Sequence, residues 1–272
     1  MKGDKFQKRV QRYGWDKSAT YYERSWGEKL QPALDELIKL ANPKQGESAI
    51  DIASGSGLST FPIADLVGDS GSVLGTDISE EMVKLTQLNA ESKGVANVHF
   101  SRMSADELAC ENDNFDLSVC SLGLMYVPDS EAAIEQMYRV TRPGGRAAVS
   151  VWGARKNCGW AEIFPIVNEQ VASEVCPLFF SLGTGDALLF AMERAGFTDI
   201  EITRLSVILD FPSDEAACEA AFLGGPVSLA YDRFDEDTRK QVQSEYLESL
   251  KSFQQCGGYK VPGEFVIATA IK

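Results

Sequence analysis

The 272-residue chain is long enough for one large domain, or for one domain with a substantial cap. It carries 26 Lys and Arg against 40 Asp and Glu, which gives a formal net charge of −14 at pH 7. So acidic a chain repels phosphate backbones, and no basic run offsets the repulsion, which excludes nucleic acid as a partner. No stretch is apolar for long enough to span a membrane, and the N-terminal residues lack the apolar core of a signal peptide. We therefore expect a cytoplasmic protein. We also expect a monomer or a homodimer.

Six cysteines and a single His are spread along the chain without a CxxC pair. Zinc sites need clustered Cys and His ligands, so we predict no metal site. A chain of this length builds a core without disulfides, and free thiols are therefore expected in a reducing compartment.

The first forty or so residues have a helical pattern, clearest over 28–40, where apolar residues recur at three- and four-residue spacing. Asn42 and Pro43 end this helix. Strand-like apolar runs then alternate with helical segments. The predicted strands of this part cover 48–52, 71–76, 97–100, 115–121 and 146–152, and the helices cover 58–67, 80–92 and 130–140.

The second half of the chain is less regular. Its helical stretch 213–258 separates two strand regions, and we interpret this stretch as a cap over the site. The predicted helices of the second half cover 160–175, 185–195, 213–222 and 235–253, with one or two strands within 198–211 and a terminal strand at 263–271.

Alternating strands and helices at this spacing are typical of a doubly wound α/β fold, a parallel sheet with helices on both faces. Ligands of such sheets bind beyond the carboxyl ends of the strands. Gly55, Asp77 and the segments 104–106 and 121–126 all follow predicted strand ends. We expect these four segments to meet at one edge of the sheet.

The first of these segments is a glycine-rich turn with Gly55 and Gly57. Glycine lets a ligand approach backbone N–H groups and a helix N-terminus closely. Asp77 ends the second strand, where a carboxylate can accept hydrogen bonds from both hydroxyls of a ribose.

Two classes of nucleotide ligand compete for this turn. Dinucleotide folds carry GxGxxG, and here Thr60 stands where the third glycine would be. Asp51, just before the turn, would oppose a pyrophosphate but suits an ammonium group. S-adenosylmethionine has an amino acid end and no pyrophosphate, so the pattern favours it as the cofactor.

Five motifs stand in one order along the chain: AIDIASGSG at 49–57, GTDISEEM at 75–82, SADEL at 104–108, FD at 115–116 and RVTRPGG at 139–145. Together they resemble the class I S-adenosylmethionine-dependent methyltransferases, and most closely the branch of ubiquinone/menaquinone-type and natural-product enzymes. The resemblance covers roughly residues 46–152, and the terminal strand resembles the antiparallel seventh strand of that fold. It implies a Rossmann-like seven-stranded sheet with the last strand antiparallel, helices on both faces and a helical cap.

The resemblance also implies which residues hold the cofactor. The chain departs from the family at Ala53, where Gly is usual, and at Ser104, where an acidic residue is usual, which shifts the adenine contact toward Asp106. The implied residues are Asp51, Ala53, Ser54, Gly55 and Gly57 around the methionine part, Asp77 at the ribose, Ile78 and Met82 against the adenine, Ser104, Ala105 and Asp106 at the adenine edge, and Ser121 and Leu122 under the sulfonium.

In this family the N-terminal segment often closes over the cofactor, and an aromatic cluster there fits such a lid. We therefore expect an N-terminal helical lid at 1–45, a cofactor-binding core at 46–212 and 259–272, and a helical cap inserted at 213–258. The cluster consists of Tyr13, Trp15, Tyr21, Tyr22 and Trp26.

Methyl transfer by in-line displacement needs alignment, and it needs a base only if the acceptor must lose a proton. Since no His–Glu pair is present, the candidate catalytic groups are Tyr22, Tyr126 and a carboxylate of the cap. We expect a small, partly hydrophobic metabolite as the acceptor. The alternatives are a methyltransferase-fold enzyme that uses the cofactor for a non-methylating reaction such as cyclisation, and a non-catalytic cofactor-binding subunit.

Overall fold

The structure is a computed structural model that describes residues 2–171, 176 and 178–272. One sheet runs through it, built from eight strands. They are β1 (Ser48–Ile52), β2 (Ser72–Asp77), β3 (Val98–Arg102), β4 (Phe115–Ser121), β5 (Thr141–Trp152), β6 (Thr198–Phe211), β7 (Gln254–Gln255) and β8 (Gly258–Ile271). The order across the sheet is β3-β2-β1-β4-β5-β8-β6, with β7 paired to β8. The strands β1 to β5 are parallel, and β8 runs antiparallel to both β5 and β6.

Nine α-helices accompany these strands in the described part of the chain. They are α1 (Lys2–Ala41), α2 (Thr60–Val67), α3 (Glu80–Lys93), α4 (Ser130–Val140), α5 (Ile163–Asn168), α6 (Ala187–Ala195), α7 (Asp214–Cys218), α8 (Ser228–Tyr231) and α9 (Glu236–Leu250). Across the described residues, none of the helices is long and apolar enough to cross a lipid bilayer.

Successive side chains of the parallel strands point to opposite faces of the sheet, so the core is divided into two parts, one on each face. Ile50 and Ile52 of β1 belong to a large cluster with α4, α6 and the middle of α1. Ala49, their neighbour on the opposite face, belongs to a second cluster with α2, α3 and the end of α1. In β5, Val149 belongs to the large cluster and Ala148 to the second one. Helices therefore cover both faces, and the predicted doubly wound Rossmann-like fold is confirmed.

The structure differs from the predicted elements at several boundaries. β8 begins at Gly258, five residues earlier than predicted, because pairing with β6 continues on both sides of Pro262. The short strand β7 was missed. It forms a hairpin with β8 through Cys256 and Gly257, both at positive φ, without the Asn-Gly pair that usually announces such a turn. Of the helix predicted over 160–175, α5 is the described helical part, and residues 172–175 lie outside the described residues.

The long helix α1 joins the sheet to the helices of the segment 213–258. Its C-terminal part packs on the sheet, and its middle packs on the turn 219–223 and on α8. The Trp26 indole donates a hydrogen bond to the Ala220 carbonyl at 3.0 Å, and the Ser18 hydroxyl lies 2.8 Å from that of Ser228. Both contacts are buried, so they fix α1 above the carboxyl edge of the sheet.

The position of β1 in the middle of the sheet leads to a prediction for stability. Ile50 is fully buried, and Ile50→Ala removes its side chain from the larger cluster. We expect the free energy of unfolding in urea to fall by about 3 kcal/mol. Leu88→Ala is the matched control, because Leu88 is 62% exposed, and it is expected to change stability by less than about 0.5 kcal/mol. Equal effects of the two substitutions would contradict the central position of β1.

Candidate active site

The loops after β1, β2 and β4 meet at the carboxyl edge of the sheet. β1 lies between β2 and β4, so the strand order reverses there, and a crevice opens at such a point in doubly wound folds. In this chain the crevice is a cavity of about 980 Å³, partly open to solvent, which we call the edge cavity. The predicted cofactor residues that line it are Ala53, Ser54, Gly55, Asp77, Ile78, Met82, Ser104, Ala105, Ser121 and Leu122.

Asp77 joins two of these loops through its carboxylate. One oxygen accepts a hydrogen bond from the backbone N–H of Gly55 at 2.9 Å, and the other accepts one from Ser79 at 2.8 Å. Burial raises the pKa of Asp77 to about 6, against the opposing effect of these N–H donors. Because each carboxylate oxygen accepts more than one hydrogen bond, both can still receive a ligand hydroxyl.

The two glycines of the turn have different roles. A Cβ at Gly57 would lie 2.6 Å from the Phe61 ring and 2.7 Å from the Thr86 side chain, and φ is +87°. Gly57 therefore lets the turn pack on α2 and α3, and it does not line the edge cavity. Gly55 also has positive φ, but a Cβ there would meet nothing within 4 Å. Its open side faces space in which a ligand can approach the backbone closely.

Asp51 lies behind the turn and does not line the edge cavity. Its side chain is fully buried, and one carboxylate oxygen accepts hydrogen bonds from the hydroxyls of Ser59 at 2.8 Å and Thr60 at 2.6 Å. Its other oxygen has no hydrogen-bond partner among the described residues. Burial raises the pKa of Asp51 to about 6, and the two hydroxyls oppose that rise. Asp51 therefore ties β1 to the first turn of α2.

Two residues of the edge cavity have a left-handed backbone although they are not glycine. Ala53, after β1, has φ of +58°, and Leu122, after β4, has φ of +56°. Such a conformation costs a residue with a Cβ about 1 kcal/mol. It also explains why a glycine suits the position of Ala53. Strain at the ends of two adjacent strands marks this edge as a place where the backbone is shaped for a ligand.

Asp106 is turned toward α1 and does not line the edge cavity. Its carboxylate pairs with the Lys8 ammonium at 2.5 Å and accepts a hydrogen bond from the Ser104 hydroxyl at 2.5 Å. Two turns further along α1, Asp16 accepts a hydrogen bond from the Ser79 hydroxyl at 2.6 Å. These polar contacts hold the N-terminal half of α1 against the rim of the cavity.

Most of the residues by which the N-terminal half of α1 lines the edge cavity were not predicted from the sequence. Lys8, Gln11 and Trp15 line the edge cavity, and of these only Trp15 had been placed in the aromatic cluster. Gln11 donates to the Cys176 thiol at 3.0 Å, but its buried amide oxygen has no partner in the described part of the chain. The hydroxyl of Ser56, which also lines the cavity, is buried and unpartnered in the same way. Buried polar atoms without partners are rare, and here they mark places where a polar ligand can bind.

A second, smaller cavity adjoins the first, and we call it the aromatic chamber. Tyr22, Leu30, Leu122 and Tyr126 line both cavities. Among the described residues that line the chamber, none carries a carboxylate, an imidazole or an ammonium group. Its other lining residues are Trp26, Trp152, Trp160, Ile163, Phe164, Ala220, Ala221, Gly224, Gly225, Pro226 and Val227.

The candidate catalytic residues Tyr22 and Tyr126 stand where the two cavities meet. The Trp15 ring packs edge-on against both, at 5.4 Å from Tyr22 and 4.9 Å from Tyr126. Burial is the main cause that raises the pKa of each phenol far above its ordinary value. Both therefore keep their protons at neutral pH. Over the described ranges, no group of His, Cys, Asp and Glu is placed to hold a metal ion.

A crevice at this edge of a doubly wound sheet is typical of nucleotide-binding α/β proteins, and comparison with known proteins identifies the class. A model of the ubiE/COQ5 methyltransferase family matches residues 31–176, which is more than half of the chain. The chain therefore belongs to the ubiE/COQ5 methyltransferase family. It is a class I S-adenosylmethionine-dependent methyltransferase, and S-adenosylmethionine is its cofactor.

Individual relatives agree with this family. The chain is 26% identical over 250 residues to the nocamycin O-methyltransferase of Saccharothrix syringae, covering 87% of this chain and 89% of that protein. It is 32% identical over 188 residues to the ubiquinone/menaquinone biosynthesis C-methyltransferase UbiE of Shewanella woodyi. That match covers 62% of this chain and 73% of the relative. Among solved structures, phosphoethanolamine N-methyltransferase 2 of Haemonchus contortus in complex with S-adenosyl-L-methionine has the same fold, with a TM-score of 0.63 and 18% identity. That match covers 94% of this chain and 57% of the other.

The buried carboxylate of Asp51 leads to a prediction for the pH dependence of stability. Its pKa is about 6 in the folded chain and about 3.8 when unfolded, so only the folded state holds the proton between these values. Stability therefore falls as the pH rises from about 4 to about 6. Asp51→Asn stays neutral and keeps an oxygen for Ser59 and Thr60. We expect it to raise the free energy of unfolding in urea at pH 7.5 by about 1 to 3 kcal/mol, with little gain at pH 4.5.

Asp51→Ala is the control, because it removes both the charge and the acceptor of the two hydroxyls. We expect this variant to be less stable than Asp51→Asn at both pH values. A variant Asp51→Asn that is less stable than the parent at pH 7.5 would show that the buried charge stabilises the fold.

Proposed function

We propose that the chain transfers a methyl group from S-adenosylmethionine to a small, mainly apolar metabolite. The cofactor lies in the edge cavity and the acceptor in the aromatic chamber. The observation that carries this proposal is the junction of the two cavities at Tyr22, Leu122 and Tyr126. Methyl transfer needs the two reactants in line and in contact, and a shared boundary between two adjoining cavities supplies that arrangement.

In this proposal Asp77 holds the ribose of the cofactor. Its carboxylate is already oriented by two backbone N–H groups and accepts further hydrogen bonds from the two ribose hydroxyls. Ile78 and Met82 form the apolar surface under the adenine, and both line the edge cavity. The adenine edge lies at Ser104 and Ala105, beside the Asp106 carboxylate that pairs with Lys8.

The methionine end of the cofactor lies near the turn after β1. The backbone of Ser54 and Gly55 is open to a ligand there, and the unpartnered oxygens of Gln11 and Ser56 are buried beside it. An ammonium group donates three hydrogen bonds, which suits these oxygens. Gly57 and Asp51 act indirectly, because they shape and anchor the turn that carries the ligand contacts.

The sulfonium end points toward Ser121 and Leu122. Bound S-adenosylmethionine supplies an electrophilic methyl group, which moves in line to the acceptor and leaves S-adenosylhomocysteine. The chain contributes alignment, since Leu122 is held by the strained backbone after β4 and lines both cavities. The apolar walls of the chamber exclude water from the reacting atoms.

Tyr22 and Tyr126 act as hydrogen-bond donors that position the acceptor. Their raised pKa values leave almost no phenolate at neutral pH, and the described lining of the chamber supplies no carboxylate or imidazole that could take up a proton. The acceptor therefore brings its own nucleophile, as an anion of an acidic group or as a free lone pair. This requirement favours an enolic or phenolic metabolite with a low pKa.

We further propose that residues 1–45 form a lid and residues 213–258 a cap on the core formed by 46–212 and 259–272. The lid covers the edge cavity with Lys8, Gln11 and Trp15, and the cap supplies the chamber wall from Ala220 to Val227. The cofactor can reach the edge cavity when the N-terminal half of α1 moves away from the rim, which breaks the contact between Lys8 and Asp106.

The role of Asp77 is tested by calorimetric titration with S-adenosylmethionine. Asp77→Ala removes a charged acceptor of two ribose hydroxyls, and we expect it to weaken binding at least about a hundredfold at pH 7.5. Asp69→Ala is the control, since Asp69 is an exposed carboxylate outside the cavity and its loss leaves the affinity unchanged. Equal affinities of parent and Asp77→Ala would remove this assignment.

The affinity for S-adenosylmethionine measured by the same titration should depend on pH. Asp77 has a pKa of about 6, so its carboxylate is ionised at pH 7.5 and largely protonated at pH 5. Protonation removes the negative charge that the ribose hydroxyls face. We expect the affinity to fall about tenfold from pH 7.5 to pH 5. An affinity that stays constant over this range would show that the ionised form of Asp77 is not needed.

The reaction itself is tested by incubating the chain with methyl-labelled S-adenosylmethionine and a panel of apolar enols, phenols and amines. We expect label in one acceptor class together with release of S-adenosylhomocysteine. With that acceptor, Tyr126→Phe should raise KM several-fold and leave the pH profile of kcat unchanged, because the phenol positions without moving a proton. If Tyr126 acted as a base, the substitution would instead abolish one limb of the pH profile of kcat. Binding of the cofactor without any turnover would favour the cyclase or the non-catalytic alternative.

A further inference from the structure

One polar group of the aromatic chamber has no partner within the protein. The indole of Trp160 is 5% exposed, and its Nε1–H is buried without a hydrogen-bond acceptor among the described residues. Trp26, in the same chamber, donates its own indole N–H to the Ala220 carbonyl at 3.0 Å. Leaving a buried donor unpaired is costly, so the difference between the two indoles needs an explanation.

The Trp160 ring is held in place by aromatic neighbours on several sides. Its centroid lies 4.8 Å from that of Trp152, 5.6 Å from that of Trp26 and 5.6 Å from that of Phe179. Phe164 packs against it at 5.9 Å. Rings packed at these distances leave little freedom to turn the indole toward another acceptor. The N–H is therefore a buried donor without an acceptor among the described residues, on a ring that lines the chamber.

The chemistry of the chamber limits what can satisfy this donor. An indole N–H donates only, so its partner must be an acceptor atom. The described residues of the lining carry no charge, which disfavours a carboxylate, a phosphate or an ammonium group on the ligand. A ketone or enol oxygen on a hydrocarbon skeleton meets both conditions.

We propose that Trp160 determines the specificity of the acceptor site by donating a hydrogen bond to a ketone or enol oxygen of the metabolite. This proposal rests on the proposed function, since it assigns the chamber to the acceptor. The hydrogen bond would hold one oxygen beside Trp160, and the apolar skeleton would fill the chamber between Trp160 and the two tyrosines, Tyr22 and Tyr126, that line it. Metabolites of the same shape without the oxygen leave the N–H unpaired and bind less well.

The test compares two probes with one skeleton, 1-tetralone, which has a ketone oxygen, and tetralin, which has none. The chain contains four tryptophans, so a sample labelled with ¹⁵N at the indoles gives four Nε1–H signals. With S-adenosylhomocysteine present, we expect 1-tetralone to shift the Trp160 signal downfield and to bind about fivefold more tightly than tetralin. The remaining indole signals, including that of Trp26, should respond equally to both probes.

Trp160→Phe assigns the signal and removes the donor while keeping an aromatic ring. We expect it to lower the affinity for 1-tetralone about fivefold and to change that for tetralin less than twofold. Trp26→Phe is the matched control, because its N–H is already engaged by Ala220, and it should affect both probes equally. Thermal unfolding of both variants checks that they fold.

Two results would overturn the proposal: equal binding of the two probes by the parent, or no binding of either. The comparison on the parent chain needs no variant, so it holds even if Trp160→Phe is unstable. Binding of S-adenosylhomocysteine is measured first and separately. Its failure would count against the cofactor site, whereas the probe comparison concerns Trp160 alone.

Discussion

The site depends on the carboxylate of Asp77. It accepts backbone N–H groups from Gly55 after β1 and from Ser79 before α3, and so it holds two loops in fixed positions relative to each other. These loops come from neighbouring strands, and the edge cavity lies between them and the end of β4. Since both donors are backbone groups of the chain itself, the carboxylate is oriented before any ligand arrives. Such preorganisation lets binding energy go into the ligand contacts.

The chain accepts a cost in stability at this edge. Asp51 and Asp77 are both buried with raised pKa values, and Ala53 and Leu122 both carry left-handed backbone. Three of them, Asp77, Ala53 and Leu122, line the edge cavity, and Asp51 anchors the turn behind it. Strain and buried charge concentrated at one place are what a binding site requires and what a hydrophobic core avoids. The central strands and their two apolar clusters compensate for this cost.

The parts of the molecule that could be predicted from sequence are those whose signals are local. The turn with Gly55 and Gly57, the cap of α3 at Ser79 and the alternation of strands and helices each depend on a few neighbouring residues. The position of the edge cavity could be predicted from these elements, because the carboxyl ends of parallel strands share one edge. The prediction included Asp51 and Gly57 as ligand contacts, and the structure places both behind the lining. Spacing shows that a residue belongs to a motif, but it does not show whether the residue reaches the cavity.

A mainly hydrophobic pocket could be expected from the aromatic residues of the second half, but the walls of the aromatic chamber could not be assembled from the sequence, for a physical reason. Its walls come from the middle of α1, from residues around Trp160 and from the segment near Gly224, which are far apart in the chain. Apolar residues in such segments look the same whether they form a core or line a cavity. The roles of Lys8 and Gln11 were hidden likewise, because their partners Asp106 and Cys176 are brought near only by the fold.

A crystal structure of the chain with S-adenosylhomocysteine and an apolar ketone would test the arrangement of the two cavities most directly. We predict that the ribose hydroxyls lie within hydrogen-bond distance of both Asp77 carboxylate oxygens. The sulfur should face the junction at Tyr22, Leu122 and Tyr126, with the ketone beyond it in the aromatic chamber. A ribose bound away from Asp77, or a sulfur that faces away from the chamber, would contradict the proposed site.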